Sequence, residues 1–215
     1  YKYAEMALNH FQRTNNYLFA ISAESLMLLQ YGSELEMNFT EVVERYKNLI
    51  HNCDVLGSRD RKAILLNNLG VKYFKREEYE TALYYFEESI NETENKKSIN
   101  YLRRLCNYLE TCTEGLLIEK EILLKILKRG LALAKMLKSP LHITLIKLFK
   151  LKAEGNLIEY YRYLADEALP YFYSTNNKFY IEQFGKKLYK YYINIKEFQK
   201  AAELHEIVEQ TFVNM

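Results

Sequence analysis

Apolar residues recur at intervals of three and four along almost the whole chain. The opening stretch already does so, with Tyr3, Met6, Ala7, His10 and Phe11 on one helical face. Read this way, the pattern predicts helices at 1–13, 15–33, 39–53, 59–75, 78–94, 96–112, 116–138, 140–154, 157–174, 177–195 and 197–213. The joints carry the expected punctuation. Asn38-Phe39-Thr40-Glu41 offers a cap before Val42 and Val43, and Ser58-Arg59-Asp60 precedes Ala63. Pro140 after Ser139 suits a first turn, where the amide that proline lacks has no partner. Gly155-Asn156 can take the left-handed conformation that ends one helix before the next begins.

A second period lies above the first. Helix pairs begin near residues 16, 59, 97, 140 and 178, a spacing of roughly forty residues. Equally spaced hairpins predict an α-solenoid, in which each unit buries its apolar face only against its neighbours. The stretch NNLGVKYFKREEYETALYYFEESI, residues 67–90, gives the packing in detail. Leu69 and Gly70 fall mid-helix, where a small residue admits a partner helix. Tyr73 closes the inner face and Tyr79 covers the turn. Ala82 is expected opposite Gly70, with Phe86 filling the space one turn later.

Those residues resemble the tetratricopeptide repeat (TPR), with Leu66, Leu69, Gly70, Tyr73, Tyr79, Ala82 and Phe86 in consensus places. Ser89 stands where a later Ala is usual, and the Pro expected near Glu94 is missing. KKLYKYYINIKEFQKAAELHEIVE resembles a second copy through Leu188, Tyr192, Phe198, Ala201, His205 and Val208, departing at Tyr189, where a small residue is usual. His205 is then expected in the core. The units around 16–53, 97–138 and 140–174 lack the motif and are accepted on helix length and spacing. The resemblance implies an all-α fold, a right-handed α-solenoid of about five TPR-like hairpins, forming one domain over 1–215. More narrowly, EALPYF (167–172) and the final repeat resemble peptide-pheromone receptors of the Rap, NprR and PlcR type from Gram-positive bacteria. In that family the superhelix grips a short extended peptide on its concave face, and an N-terminal domain acts on DNA or on a response regulator.

Composition supports helices: 20 Tyr and 11 Phe but no Trp, 7 Gly and 2 Pro. A formal net charge of +2 provides no bulk field for nucleic acid, so action on DNA is expected only through a domain absent from this chain. Three Cys without framework spacing read as reduced thiols in a cytoplasmic protein. No stretch is apolar enough for a membrane span, and no membrane partner is expected. The chain opens on Tyr1 already inside a helical pattern, so a piece of a longer protein, lacking an N-terminal effector or DNA-binding domain, is expected.

In a TPR-like unit the first helix of each pair lines the groove. Alignment places Ile64, Asn67, Val71 and Phe74 there, then Asn100, Arg103, Asn107 and Glu110, and in the last unit Gln183, Lys186, Lys190 and Ile193. Asn67 and Asn107 can pair with an extended peptide backbone, because an amide side chain both donates and accepts. Arg103, Lys186 and Lys190 can hold a carboxylate. Tyr160, Tyr161 and Tyr163 can offer ring surfaces. No nucleophile, base and orienting group assemble, and no Gly-rich phosphate loop occurs. His51-x-Cys53 is too short for zinc, and Cys106 and Cys112 read as buried small residues. LLKILKRGLALAKMLK (123–138) is basic and amphipathic, with a stripe needed for packing. The expected function is therefore a cytoplasmic peptide sensor without catalysis or cofactor. A constitutive interaction or dimerisation scaffold is the alternative. A homodimer is expected because EIVEQTFVNM (206–215) ends on apolar residues with no polar cap.

Overall fold

The computed structural model describes residues 2–30 and 38–213. Within them the chain forms α1 (Lys2–Arg13), α2 (Tyr17–Gln30), α3 (Phe39–Val55), α4 (Arg59–Phe74), α5 (Tyr79–Glu92), α6 (Ile99–Gly115), α7 (Lys120–Met136) and α8 (Pro140–Glu154). After these come α9 (Leu157–Tyr163), a π-helical turn (Leu164–Ala168), α10 (Leu169–Ser174), α11 (Lys178–Asn194) and α12 (Phe198–Val213). No strand occurs among the described residues. The end of the helix expected over 15–33 lies outside them.

Helices pack on their sequence neighbours, and the first helices of successive units, α2, α4, α6 and α8, also pack in series. That is the all-α solenoid the spacing predicts. Ile21, Leu28, Val42, Tyr46, Leu65 and Leu69 form one core across α2, α3 and α4. A second, larger core runs from Leu102 on α6 to Leu204 on α12. The joints behave as their chemistry requires. Asn38 Oδ1 accepts from the Thr40 amide at 3.2 Å, Asn156 Oδ1 accepts from the Glu159 amide at 3.2 Å, and Gly155 ends α8 at φ +81°.

Several packing expectations are corrected. A Cβ added to Gly70 would meet Phe86 Cε1 at 2.7 Å, so the ring of Phe86, rather than Ala82, lies over the glycine. The hole is filled by large against small. In the last unit Gly185 holds the corresponding close approach, with an added Cβ 2.9 Å from Val208. The small residue thus comes four positions, one helical turn, before Tyr189. The same displacement overturns the expected place of His205. It is exposed and meets Glu209 at 3.2 Å, while Ala201 and Leu204 are buried against α11. Helix α6 continues to Gly115, beyond the expected end at residue 112, because Leu116 supplies the left-handed stop at φ 53°. Gly115 there meets Tyr79, whose Cβ would lie 2.8 Å from an added methyl.

The helix expected over 157–174 is interrupted in register. Pro170 has no amide to give to the Asp166 carbonyl, and the Leu169 amide bonds back to the Leu164 carbonyl, five residues away. The resulting π turn keeps Leu164, Ala168, Leu169 and Phe172 in the core.

Candidate functional site

First helices line the inner wall, and the array curves enough for α11 to reach α6, two units earlier. Two hydrogen bonds span the gap. Gln183 Nε2 donates to Glu110 Oε1 at 2.5 Å, and Lys187 Nζ donates to Glu114 Oε1 at 2.7 Å. Lys152 of α8 donates to the second oxygen of Glu114 at 2.5 Å. Beside these contacts lies a cavity of about 500 Å³ between α4, the start of α5, α6 and α11. Val71, Phe74, Tyr79, Phe179 and Tyr180 supply its apolar wall, and Asn107, Glu110, Gln183 and Lys186 its polar groups.

The electrostatics of the two glutamates differ. Burial raises both carboxyls, but Glu114 accepts from two lysines, which hold its carboxyl below the usual range. Glu110 is the more deeply buried of the two, lies within reach of the charges of Lys187, Glu114 and Lys152, and has a neutral amide as its bonded partner. Burial pushes its carboxyl up to about 7. Gln183 Oε1 is buried and has no hydrogen-bond partner in the protein.

The structure distributes the five candidate residues unevenly. Asn107 and Lys186 line the cavity. Asn67 sits beside it, half-buried, accepting from Asn107 Nδ2 at 2.9 Å. That bond leaves the Asn67 amide nitrogen to donate and the Asn107 carbonyl oxygen to accept. Arg103 is exposed one turn before Asn107, outside the lining, and its charge reaches His142 on α8, whose ring burial and this cation hold down at about 4. Lys190 belongs elsewhere. With Gly185, Tyr189, Leu204, His205 and Val208 it lines an open groove of about 810 Å³ between α11 and α12 at the end of the solenoid. Lys186 borders both sites and pairs with Glu182 at 2.5 Å.

The tyrosines offered as ring surfaces are committed to packing. Tyr160 is buried, Tyr161 stacks on Tyr191 with centroids 3.7 Å apart, and Tyr163 lies under Lys147. Sequence reasoning placed Glu110 and Gln183 on the groove but missed Glu114, Lys187 and Lys152. A signal existed: Glu110 and Glu114 are one turn apart, as are Gln183 and Lys187, so two rungs of one helix can meet two of the other. No group of His, Cys, Asp or Glu that could hold a metal occurs among the described residues. Cys53, Cys106 and Cys112 are buried free thiols. Among the described residues no helix is long and apolar enough to cross a membrane.

Solved structures share this fold over nearly the whole chain. The chain folds like the quorum sensor NprR. Its match to the apo form of NprR from B. thuringiensis has a TM-score of 0.78 at 20% identity, covering 98% of this chain and 59% of that one. The apo form of RapI matches at a TM-score of 0.70 and 14% identity, over 98% of this chain and 57% of that one. Aspartyl phosphate phosphatase F from Bacillus subtilis matches at 0.62 and 16% identity, over 98% and 60%. At these identities the likeness to NprR and the others is one of fold. The chain spans about three-fifths of the length of each. No protein-family model and no curated protein matches the sequence.

Proposed function

We propose that this chain is the peptide-sensing part of a cytoplasmic regulator and that its inner cavity takes a short extended peptide. The observation that carries the reading is the cavity itself. Its 500 Å³ suit a few residues of extended chain, and its wall combines aromatic surface with amide groups able to pair with a peptide backbone. The likeness in fold to a quorum sensor supports it. Any action on DNA belongs in this reading to a domain outside the chain. Calorimetric titration with short oligopeptides encoded beside its gene tests the proposal. Saturable binding that weakens on Asn107→Ala is expected; no heat at high micromolar from any of them overturns it.

A second reading, a constitutive scaffold or homodimer, has its own observation in the open groove between α11 and α12, which Tyr189, Leu204 and Val208 help to line. Light scattering separates the two. A dimer unchanged by peptide and lost on Val208→Glu favours the scaffold.

A further inference from the structure

The polar floor of the cavity is unbalanced in a way that constrains what occupies it. Two carboxyls, Glu110 and Glu114, lie one turn apart on α6, and two cations reach them, Lys152 from α8 and Lys187 from α11. Both lysines bond to Glu114. Glu110, only 9% exposed, receives the neutral Gln183 amide. Lys187 and Lys152 lie within electrostatic reach of Glu110 but direct their hydrogen bonds to Glu114, and Lys186 pairs with Glu182. Lys75 and Glu77 line the same cavity, and among the described residues no cation bonds to Glu110 itself. Tyr79 of α5, Tyr160 of α9, Tyr180 of α11 and Cys106 of α6 all lie within its electrostatic reach, and each is held neutral by burial. A buried carboxyl so placed requires either a proton or a counter-charge. Gln183 Oε1 is meanwhile an acceptor with no donor. Both residues line the cavity.

We propose that Glu110 and Gln183 form a cation-receiving floor, where a ligand's ammonium or guanidinium group displaces the proton that Glu110 carries in the empty cavity. In the empty state the protonated carboxyl still accepts from the Gln183 amide through its other oxygen, and Gln183 Oε1 stays without a donor. In the occupied state the carboxyl loses its proton to solvent, accepts from the Gln183 amide and from the ligand cation, and Gln183 Oε1 accepts a second ligand N–H. One proton leaves, one positive charge enters, and the floor keeps its net charge. A carboxylate or a purely apolar ligand end provides no donor for either oxygen.

This inference rests on the peptide reading and is tested together with it on the full chain. A positional heptapeptide library, carrying Lys, Arg, Glu or norleucine at each position in turn, is enriched on immobilised wild-type protein and on Glu110→Gln. Enrichment of Lys or Arg at one position by about tenfold or more, lost in Glu110→Gln while preferences elsewhere persist, is expected. Peptide enrichment with no preference for a cation, or a preference that survives in Glu110→Gln, overturns the floor and leaves the peptide reading standing. No enrichment of any peptide overturns both. Because Glu110→Gln alters a buried site, a measurement on the wild type stands beside it. Calorimetry near pH 6.5 in buffers of different ionisation enthalpy should show proton release with the best Lys heptapeptide and none with its norleucine counterpart. Equal release from the two overturns the proposal.

Discussion

Phe86 over Gly70 shows how much a single hydrogen atom in place of a methyl can decide. An added Cβ would sit 2.7 Å from one ring carbon and 2.8 Å from the next, in a site where Leu69, Ala82 and Phe86 are all buried. Gly70→Ala should therefore destabilise by about 1–3 kcal/mol despite the helix propensity gained, read as a lower urea midpoint at unchanged slope. Ser89, in the place of the usual Ala, is fully buried and donates to the Ala63 carbonyl at 2.6 Å, tying α5 to α4. Glu110 sets a pH dependence of opposite sign to that of an ordinary paired carboxylate. Its folded value is raised from 4.5 to about 7, so the native state binds more protons than the unfolded chain between those limits. Its contribution is complete below 4.5 and is lost as pH rises through 7. His142, held down at about 4, acts with the opposite sign over most of that range, so chemical denaturation should show stability rising with pH more steeply in Glu110→Gln than in the wild type; parallel curves would remove Glu110 as a contributor.

Helices are where the sequence was most legible. Asn38, Pro140 and Gly155 mark their ends through backbone chemistry that needs no tertiary contact, and the structure begins or ends α3 and α8 at them. Register inside a helix was less legible. The spacing of Leu188, Tyr192 and Ala201 fits the repeat one turn away from where Gly185 and Val208 meet, and only packing chooses between the two. The π turn was invisible as well, because Pro170 in the pattern EALPYF reads equally as a kink or as a helix start. At this scale Glu114 is the joint of three helices. Glu114→Ala should cost about 1–3 kcal/mol, with Lys152 and Lys187 turning to solvent. Its folded value is depressed by those lysines, so its contribution is present above the ordinary carboxylate range and lost as pH falls through the folded value. Acid titration of the variant should accordingly show a shallower loss of stability than the wild type.

Across the whole molecule, curvature brings together what the chain order keeps apart. Groove-facing positions can be counted along each first helix, which places Asn67, Asn107, Glu110, Gln183 and Lys186 near one another. How tightly the array winds is the sum of small rotations at every joint, and no local pattern reports it. For that reason Lys190 falls at the solenoid end and Arg103 outside the lining. The contact between α6 and α11 also changes how the array comes apart. A stack with neighbours-only coupling frays from its tips, each hairpin melting on its own account. Here the bridges from Gln183 and Lys187 skip a unit and fasten the penultimate helix to the middle of the chain. Amide hydrogen exchange should show the protected cores of α6 and α11 opening in synchrony, and a Gln183→Ala, Lys187→Ala double variant should let α11 exchange earlier while α6 lags. What is drawn as a line of beads would then behave, from Ile99 to Asn194, as a loop with its clasp shut.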